Sequence, residues 1–308
     1  MNKRDFPKVH FYDQDFVDIY DRTWSFIQNF LFTVKTEKGG TESFFLYPDN
    51  NENNHEWFLK QSETIFSSFF FVYSNRNYNA NQGLDFFYAH QEESGAIRSK
   101  YNVETGEPVF ASDNPEGVGM PLFAWAEYNM FHKTANKKRV KDIMPVLTRY
   151  MKWLESSFKQ ANGLYRVPLA AVEMYNTPRE KAAYLVDFNA ALAVNALYMS
   201  ALGDILNDKE LSFQYKRVYF TLKTRINDLM WNNETSFYHD IDENGQKLPQ
   251  KTIAGFLPLL AEIPNEDKAE ALIFHLTDPK TFGTEHPFPT LAASEKSFSQ
   301  HGEAYRGS

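Results

Sequence analysis

Residues 185–206 read LVDFNAALAVNALYMSALGDIL, and this stretch does most to decide the fold class. Its apolar side chains recur at helical intervals, at Leu185, Phe188, Leu192, Ala196, Met199 and Leu206. Spacings of three and four residues place side chains on one face of an α-helix. The stretch therefore predicts a long and strongly apolar helix.

The same period recurs along most of the chain. It runs from Val17 to Leu31, from Val140 to Phe158 and from Leu211 to Leu229. Weaker helical patterns cover residues 59–75, 79–92, 119–134, 251–262 and 264–276. Long polar connections alternate with the helices at intervals of roughly 50–60 residues, a rhythm typical of helical hairpins packed side by side. We therefore predict an all-α protein.

Strand signals are few. Thr41–Leu46 follows the turn-prone Lys38-Gly39-Gly40 and predicts a small β-hairpin near residues 35–47. No linker rich in Pro, Ser or Gly divides the chain, so residues 1–308 are predicted to form a single domain.

Composition excludes several classes of partner. The net charge is −8, and the only basic run, Lys137-Lys138-Arg139, fits the solvated start of a helix better than a nucleic-acid patch. There is no Cys, so disulfides and thiolate metal sites are excluded. No apolar run is expected to cross a membrane, because a span needs ~20 apolar residues. The first residues, MNKRD, lack a secretory signal, so the expected location is the cytoplasm, or the periplasm or cell exterior if a signal peptide was removed.

Short phrases at helix starts and in loops are more specific. They are QSETIF at 61–66, GMPLFAWA at 119–126, NGLYR at 162–166, NTPR at 176–179, VDFNA at 186–190 and WNNETSFYHD at 231–240. They resemble, in order and spacing, phrases of the family 63 glycoside hydrolases and trehalases, including mannosylglycerate hydrolases. Phe282-Gly283, Pro289-Thr290-Leu291 and Tyr305-Arg306-Gly307 resemble the run leading into that family's Trp-x-Gly-Pro-x-Trp loop.

The resemblance implies an (α/α)6 toroid of helical hairpins with its site at the loop-rich end of the inner helices. It also implies an inverting glycosidase, in which one carboxylic acid protonates the leaving oxygen and a carboxylate activates water. The two carboxyl groups stand about 6.5–9.5 Å apart in such enzymes, which leaves room for the water.

The predicted general acid departs from the family pattern. The family places Asp at the head of Asp-Asn-Ser-Pro-Arg, where this chain has Tyr175. A phenol with a pKa near ~10 is a poor general acid at neutral pH. Glu173 is the natural substitute, since residues two apart in an extended loop project to the same side. The alternative, given equal weight, is that Glu173 is a solvated loop residue and the acid is lost.

The general base is a second departure. In the family it lies beyond the Trp-x-Gly-Pro-x-Trp loop, and this sequence ends at Ser308, where that loop should begin. About nine helices are predicted where a closed toroid needs twelve, so the toroid is expected to be truncated at its C-terminus. Either the sequence is a fragment, or the protein is an open and catalytically incomplete relative.

Further side chains are predicted to line a sugar site. Asp187 and Asn189 are polar residues at the start of an apolar helix, where burial without partners is costly. They contact sugar hydroxyls or hold the 160–180 loop by hydrogen bonds. Arg179 offers a fork of donors to substrate or to an internal carboxylate. The remaining candidates are Glu63, Trp125, Tyr175, Asn176 and Tyr238.

No metal or cofactor is expected. The histidines, among them His239, His286 and His301, show no pair at ligand spacing, and no phosphate-binding loop or serine elbow is present.

The leading hypothesis is inverting hydrolysis of an α-linked glucoside or mannoside by a chain that binds carbohydrate but neither nucleic acid nor membrane. A glycan-binding or scaffold relative without activity is the alternative. A helical solenoid scaffold is a third reading, and the polar cluster in the 160–190 loop fits it poorly. The oligomeric state, the sugar and the linkage are left open.

Overall fold

A computed structural model describes residues 8–35, 41–46, 57–74, 78–172 and 177–300. Within these ranges the protein is mostly helical. The α-helices are α1 (Gln14–Gln28), α2 (Gln61–Phe71), α3 (Gln82–Ala89), α4 (Phe123–Thr134), α5 (Lys137–Phe158), α6 (Val186–Leu206), α7 (Lys209–Leu229), α8 (Leu257–Leu260) and α9 (Glu266–Thr277). Short 3₁₀ turns lie at Val72–Ser74, Pro115–Gly117, Leu169–Ala171 and Ile253–Phe256.

The strands form three antiparallel pairs in the described residues. They are β1 (Leu31–Lys35) with β2 (Thr41–Phe45), β3 (Phe58–Lys60) with β4 (Lys100–Asn102), and β5 (Trp231–Asn232) with β6 (Phe237–Tyr238). The first pair is the predicted hairpin, in register from Leu31 opposite Phe45 to Lys35 opposite Thr41. The small β-hairpin near residues 35–47 is therefore confirmed.

Contacts divide the chain into two compact units. The first unit comprises Met1–Gly117 and Ala126–Arg149, and the second comprises Val118–Trp125 and Tyr150–Ser308. The prediction of one domain over residues 1–308 stays a prediction.

In the first unit, α1 packs its buried residues Trp24 and Ile27 against Phe71, Tyr78 and Met130. The sequence pattern placed Leu31 on the same helix, and this was wrong. Asn29 caps α1, and Leu31 instead pairs with Phe45 in the hairpin while packing against the same core. Tertiary pairing outweighed a period that continued by chance past the end of the helix.

The second unit is built around α6, whose first eleven residues are all buried. α6 packs along α7, and it also contacts α8 and the 3₁₀ turn Ile253–Phe256 that precedes α8. Contrary to the expectation from sequence, α6 is long and apolar enough to cross a membrane by length and composition. However, 67% of its most apolar window is buried inside the protein, as in a core helix.

Candidate functional site

Arg179 forms the centre of a buried ion cluster in the second unit. Its Nε and Nη2 donate to the two carboxylate oxygens of Asp240 at 2.6 and 2.9 Å. Its Nη1 and Nη2 donate to the two oxygens of Asp187 at 2.8 and 2.7 Å. All three side chains are at most 5% exposed. The guanidinium is therefore held bidentately by two acids, which is the strongest geometry for such pairs.

The two carboxylates also accept hydrogen bonds from backbone N–H groups at the start of α6. The backbone N–H of Val186 donates to Asp240 at 2.8 Å, and that of Phe188 donates to Asp187 at 3.0 Å. The first N–H groups of a helix have no partner within the helix and carry a partial positive charge. The cluster thus places two acids where unpaired donors and one buried cation need them.

Burial alone would lower the pKa of Arg179, but the charges and hydrogen bonds of Asp187 and Asp240 outweigh it and raise the pKa above its usual value. The guanidinium therefore stays protonated at any physiological pH. Four of its five N–H donors point to the two carboxylates. Of the two sequence interpretations, the structure shows the internal salt bridge for Arg179, and a direct sugar contact stays a prediction.

The cluster joins three segments, of which the one that carries Asp240 is 61 positions from Arg179 in the chain. Arg179 lies near the end of the 160–180 loop, Asp187 is in the first turn of α6, and Asp240 follows β6. Backbone hydrogen bonds between Tyr184 and Ile241 reinforce the junction, at 3.0 and 3.1 Å. The chain that follows residues 173–176 is therefore held by hydrogen bonds to two segments, the start of α6 and the stretch after β6.

Glu173, Tyr175 and Asn176 lie outside the described residues. The predicted acid Glu173, and the contacts predicted for the other two, therefore stay predictions. The first described residue after them, Thr177, is buried, and Arg179 donates its backbone N–H to the carbonyl of Thr177 at 2.7 Å.

Asn189 uses its side-chain amide on the backbone. Its Oδ1 accepts from the N–H of Tyr165 at 2.8 Å, and its Nδ2 donates to the carbonyls of Tyr165 and Leu185 at 3.0 and 2.9 Å. This is the loop-holding role that the sequence left open as one of two interpretations. Asn189 fixes the NGLYR phrase to α6.

Tyr238 is buried, and its ring contacts Trp231 at a centroid distance of 4.8 Å. Its hydroxyl donates to Oδ1 of Asn227 at 2.7 Å, an oxygen that also accepts from Lys268 at 2.7 Å. Burial raises the pKa of Tyr238. The structure thus places Tyr238 in a packed network with α7 and α9, and its predicted sugar contact is untested.

The other two candidates lie elsewhere. Glu63 is on α2 in the first unit, with a carboxylate oxygen 3.3 Å from Nζ of Lys60 and a side chain 31% exposed. Trp125 is half-buried near the start of α4 and belongs to the second unit. Among the predicted site residues that the structure describes, Arg179 contacts Asp187, and Asn189 lies two residues further along α6.

Two buried charge networks contain residues that were not singled out from sequence. Asp240 stands at the end of the WNNETSFYHD phrase, and no local signal links it to Arg179, which lies 61 positions earlier. In the first unit, Glu127 is 1% exposed, is bound by Arg139 at 2.7 and 2.8 Å, and accepts from Tyr88 at 2.9 Å. Among the described residues, no group of three or more His, Asp or Glu side chains is arranged to hold a metal ion.

Comparison with known proteins identifies relatives over most of the chain. Residues 71–308 match the model of the mannosylglycerate hydrolase MGH1-like glycoside hydrolase domain. An uncharacterized protein of Borreliella burgdorferi is 46% identical over all 308 residues. The chain spans 64% of the length of that curated relative.

Solved structures agree at the level of fold. The GH63 mannosylglycerate hydrolase of Thermus thermophilus, crystallised with glucose, is 16% identical with a TM-score of 0.74, and the match covers 93% of this chain and 82% of that one. Neutral trehalase of Saccharomyces cerevisiae is 11% identical with a TM-score of 0.56, covering 88% and 62%. The all-α, (α/α)6-barrel fold class predicted from sequence is confirmed.

Proposed function

Since this chain belongs to the family of mannosylglycerate hydrolase MGH1-like glycoside hydrolase domains, we propose that it hydrolyses an α-linked glucoside or mannoside with inversion at the anomeric carbon. The observation that carries the proposal is the Arg179 cluster. It anchors the chain directly behind residues 173–176, the position of the acid loop in the family resemblance.

Glu173 is the general acid in this proposal. A general acid must be protonated at working pH and held at a fixed distance from the leaving oxygen. The buried ion cluster starts six residues after Glu173 and gives the loop one rigid end. In this proposal the second carboxylate, the general base, comes from outside residues 1–308. The Borreliella burgdorferi relative is longer than this chain, so it has room for such a residue.

The test is the Glu173→Gln variant, assayed with a panel of α-glucosides and α-mannosides. The amide keeps the shape but cannot donate the proton, so kcat is expected to fall by about 10²–10⁴-fold. The anomer released by the unmodified enzyme, observed by NMR within the first turnovers, should be the β-sugar. Unchanged kcat in Glu173→Gln, or initial release of the α-anomer, would refute the proposed mechanism.

One sequence observation favours a second function. Tyr175 stands where the family has its acid, so the chain could bind glycans without cleaving them. A ligand that binds only the folded state raises the melting temperature. A sugar that raises the melting temperature without yielding product would support this second function, whereas product formation would reject it.

A further inference from the structure

A cleft of about 500 Å³ lies in the second unit, between the last turn of α5, the loop at residues 163–165, and α7. Its wall follows α7 from Glu210 to Leu222, which corresponds to about 18 Å of helix. The volume falls within the ~300–1,000 Å³ typical of small-ligand sites. None of the cleft residues belongs to the Arg179 cluster, so the two features share no side chain.

A nearly buried hydroxyl lines this cleft. Tyr165 is 3% exposed, and both polar groups of its backbone are held by the amide of Asn189. Burial first, and Glu155 second, raise the pKa of Tyr165, so its hydroxyl keeps its proton. In the part of the chain that the structure describes, no hydrogen bond satisfies this hydroxyl. A fixed donor without a protein partner therefore lies at the cleft.

An aromatic ring stands at the same cleft. Phe213, on the first half of α7, is 64% exposed and lines it together with the amide of Gln214. The faces of sugar rings carry C–H groups, and aromatic rings supply flat apolar surface for them. Phe213 and Gln214 thus combine a stacking surface with an adjacent amide that both donates and accepts.

The charges of the cleft balance. Glu155 and Lys159 pair with each other at 2.7 Å. Glu210 and Arg217 supply one further charge of each sign. A phosphate or carboxylate ligand would need an excess of cations, and an apolar ligand would leave these polar groups desolvated. A neutral ligand rich in hydroxyl groups satisfies donors and acceptors alike.

We propose that the cleft between α5 and α7 is a carbohydrate-binding site that shares no residue with the Arg179 cluster, and that a neutral oligosaccharide stacks there on Phe213 and hydrogen-bonds to Tyr165. Gln214 and Arg217 complete the contacts along α7. In this proposal Asn189 also contributes to binding, because its side chain holds the backbone of Tyr165 at the cleft.

The test titrates maltotriose and an α-linked mannotriose into the full chain by calorimetry, with saturation-transfer NMR as a second readout. Phe213→Ala should weaken binding about fivefold or more, and Tyr165→Phe by roughly three- to tenfold. Phe220→Ala is the matched control, because Phe220 is 52% exposed on the same helix but does not line the cleft. It should leave affinity unchanged.

The outcomes separate this site from the proposed hydrolysis. Affinity lost in Phe213→Ala and kept in Phe220→Ala supports the cleft, whether or not any sugar is cleaved. Equal affinities in the two variants, or no binding of either trisaccharide to the parent protein, would overturn it. Hydrolysis abolished by Glu173→Gln with unchanged trisaccharide binding bears on the catalytic proposal alone.

Discussion

Single residues in this protein are explained by the need to satisfy buried charge. Arg179 faces two carboxylates, so the cluster carries an excess negative charge inside the second unit. The N–H groups of Val186 and Phe188 offset that excess at the positive end of α6. Removing one member of such a cluster leaves the others buried without compensation, which costs more than the intact cluster contributes.

We expect Arg179→Ala to lower the free energy of unfolding by about 3–5 kcal/mol, because Asp187 and Asp240 would remain buried without their cation. Arg166→Ala is the control, since the ion pair between Arg166 and Glu243 has side chains 50% and 66% exposed. Its loss should cost at most about 1 kcal/mol. Urea denaturation of both variants measures the difference, and equal losses would contradict this account of the cluster.

His239 makes stability depend on pH. Its Nδ1 lies 3.1 Å from the carbonyl of Gln250, which can only accept, so Nδ1 carries the proton. Its Nε2 then accepts from the hydroxyl of Thr235 at 2.7 Å. This neutral form is buried, and burial lowers the pKa of His239 from 6.5 to about 4.

The unfolded state therefore binds more protons than the folded state between pH 6.5 and about 4. The stability due to neutral His239 is complete above pH 6.5 and should be lost, by up to roughly 3 kcal/mol, as the pH falls through this window. His239→Gln should show a shallower loss over the same range in urea titrations at several pH values. A dependence on pH identical to that of the parent would exclude His239 as a source. His275, whose pKa burial also lowers, accounts for part of the remaining dependence.

At the scale of elements, α6 combines an apolar surface with a few polar groups that each contact a neighbouring segment. Asn195 accepts from the N–H of Ala124 at 2.8 Å, and the hydroxyls of Ser200 and Ser212 lie 3.1 Å apart. Gly203 lets the backbone of α7 come close, since a Cβ at this position would stand 2.9 Å from the backbone nitrogen of Ser212. The crossing of α6 and α7 therefore depends on small residues on both helices.

Gly203→Ala tests this close approach. Alanine favours a helix by about 1 kcal/mol over glycine, but the clash with α7 should cost about 1–3 kcal/mol, so the melting temperature is expected to fall. Asp204→Ala, at the exposed neighbouring position, should change stability by no more than about 0.5 kcal/mol. A Gly203→Ala variant more stable than the parent would show that α7 can move aside without cost.

At the scale of the whole molecule, charge sets what the protein can bind. The net charge is −8 because 40 Asp and Glu residues outnumber 32 Lys and Arg residues, so the protein as a whole repels the phosphates of a duplex. We expect no shift of a 20-base-pair duplex in gel retardation at about 50 mM salt, the condition that most favours electrostatic binding. A retarded complex that dissociates as the salt concentration is raised would show that the protein has a local basic surface despite its negative net charge.

The sequence by itself determined the helical class, the first hairpin and the family, because periodicity, turn residues and short phrases are local signals. It also selected Arg179, Asp187 and Asn189 as residues of consequence. Their contacts were decided only by tertiary structure: Arg179 meets Asp240 across 61 positions, and Asn189 meets Tyr165 across 24. The cleft at Phe213 likewise exists only where α7 folds beside the end of α5. A local pattern indicates which polar groups will be buried. The hydrogen-bond partner of each group depends on which chain segments meet in the folded structure.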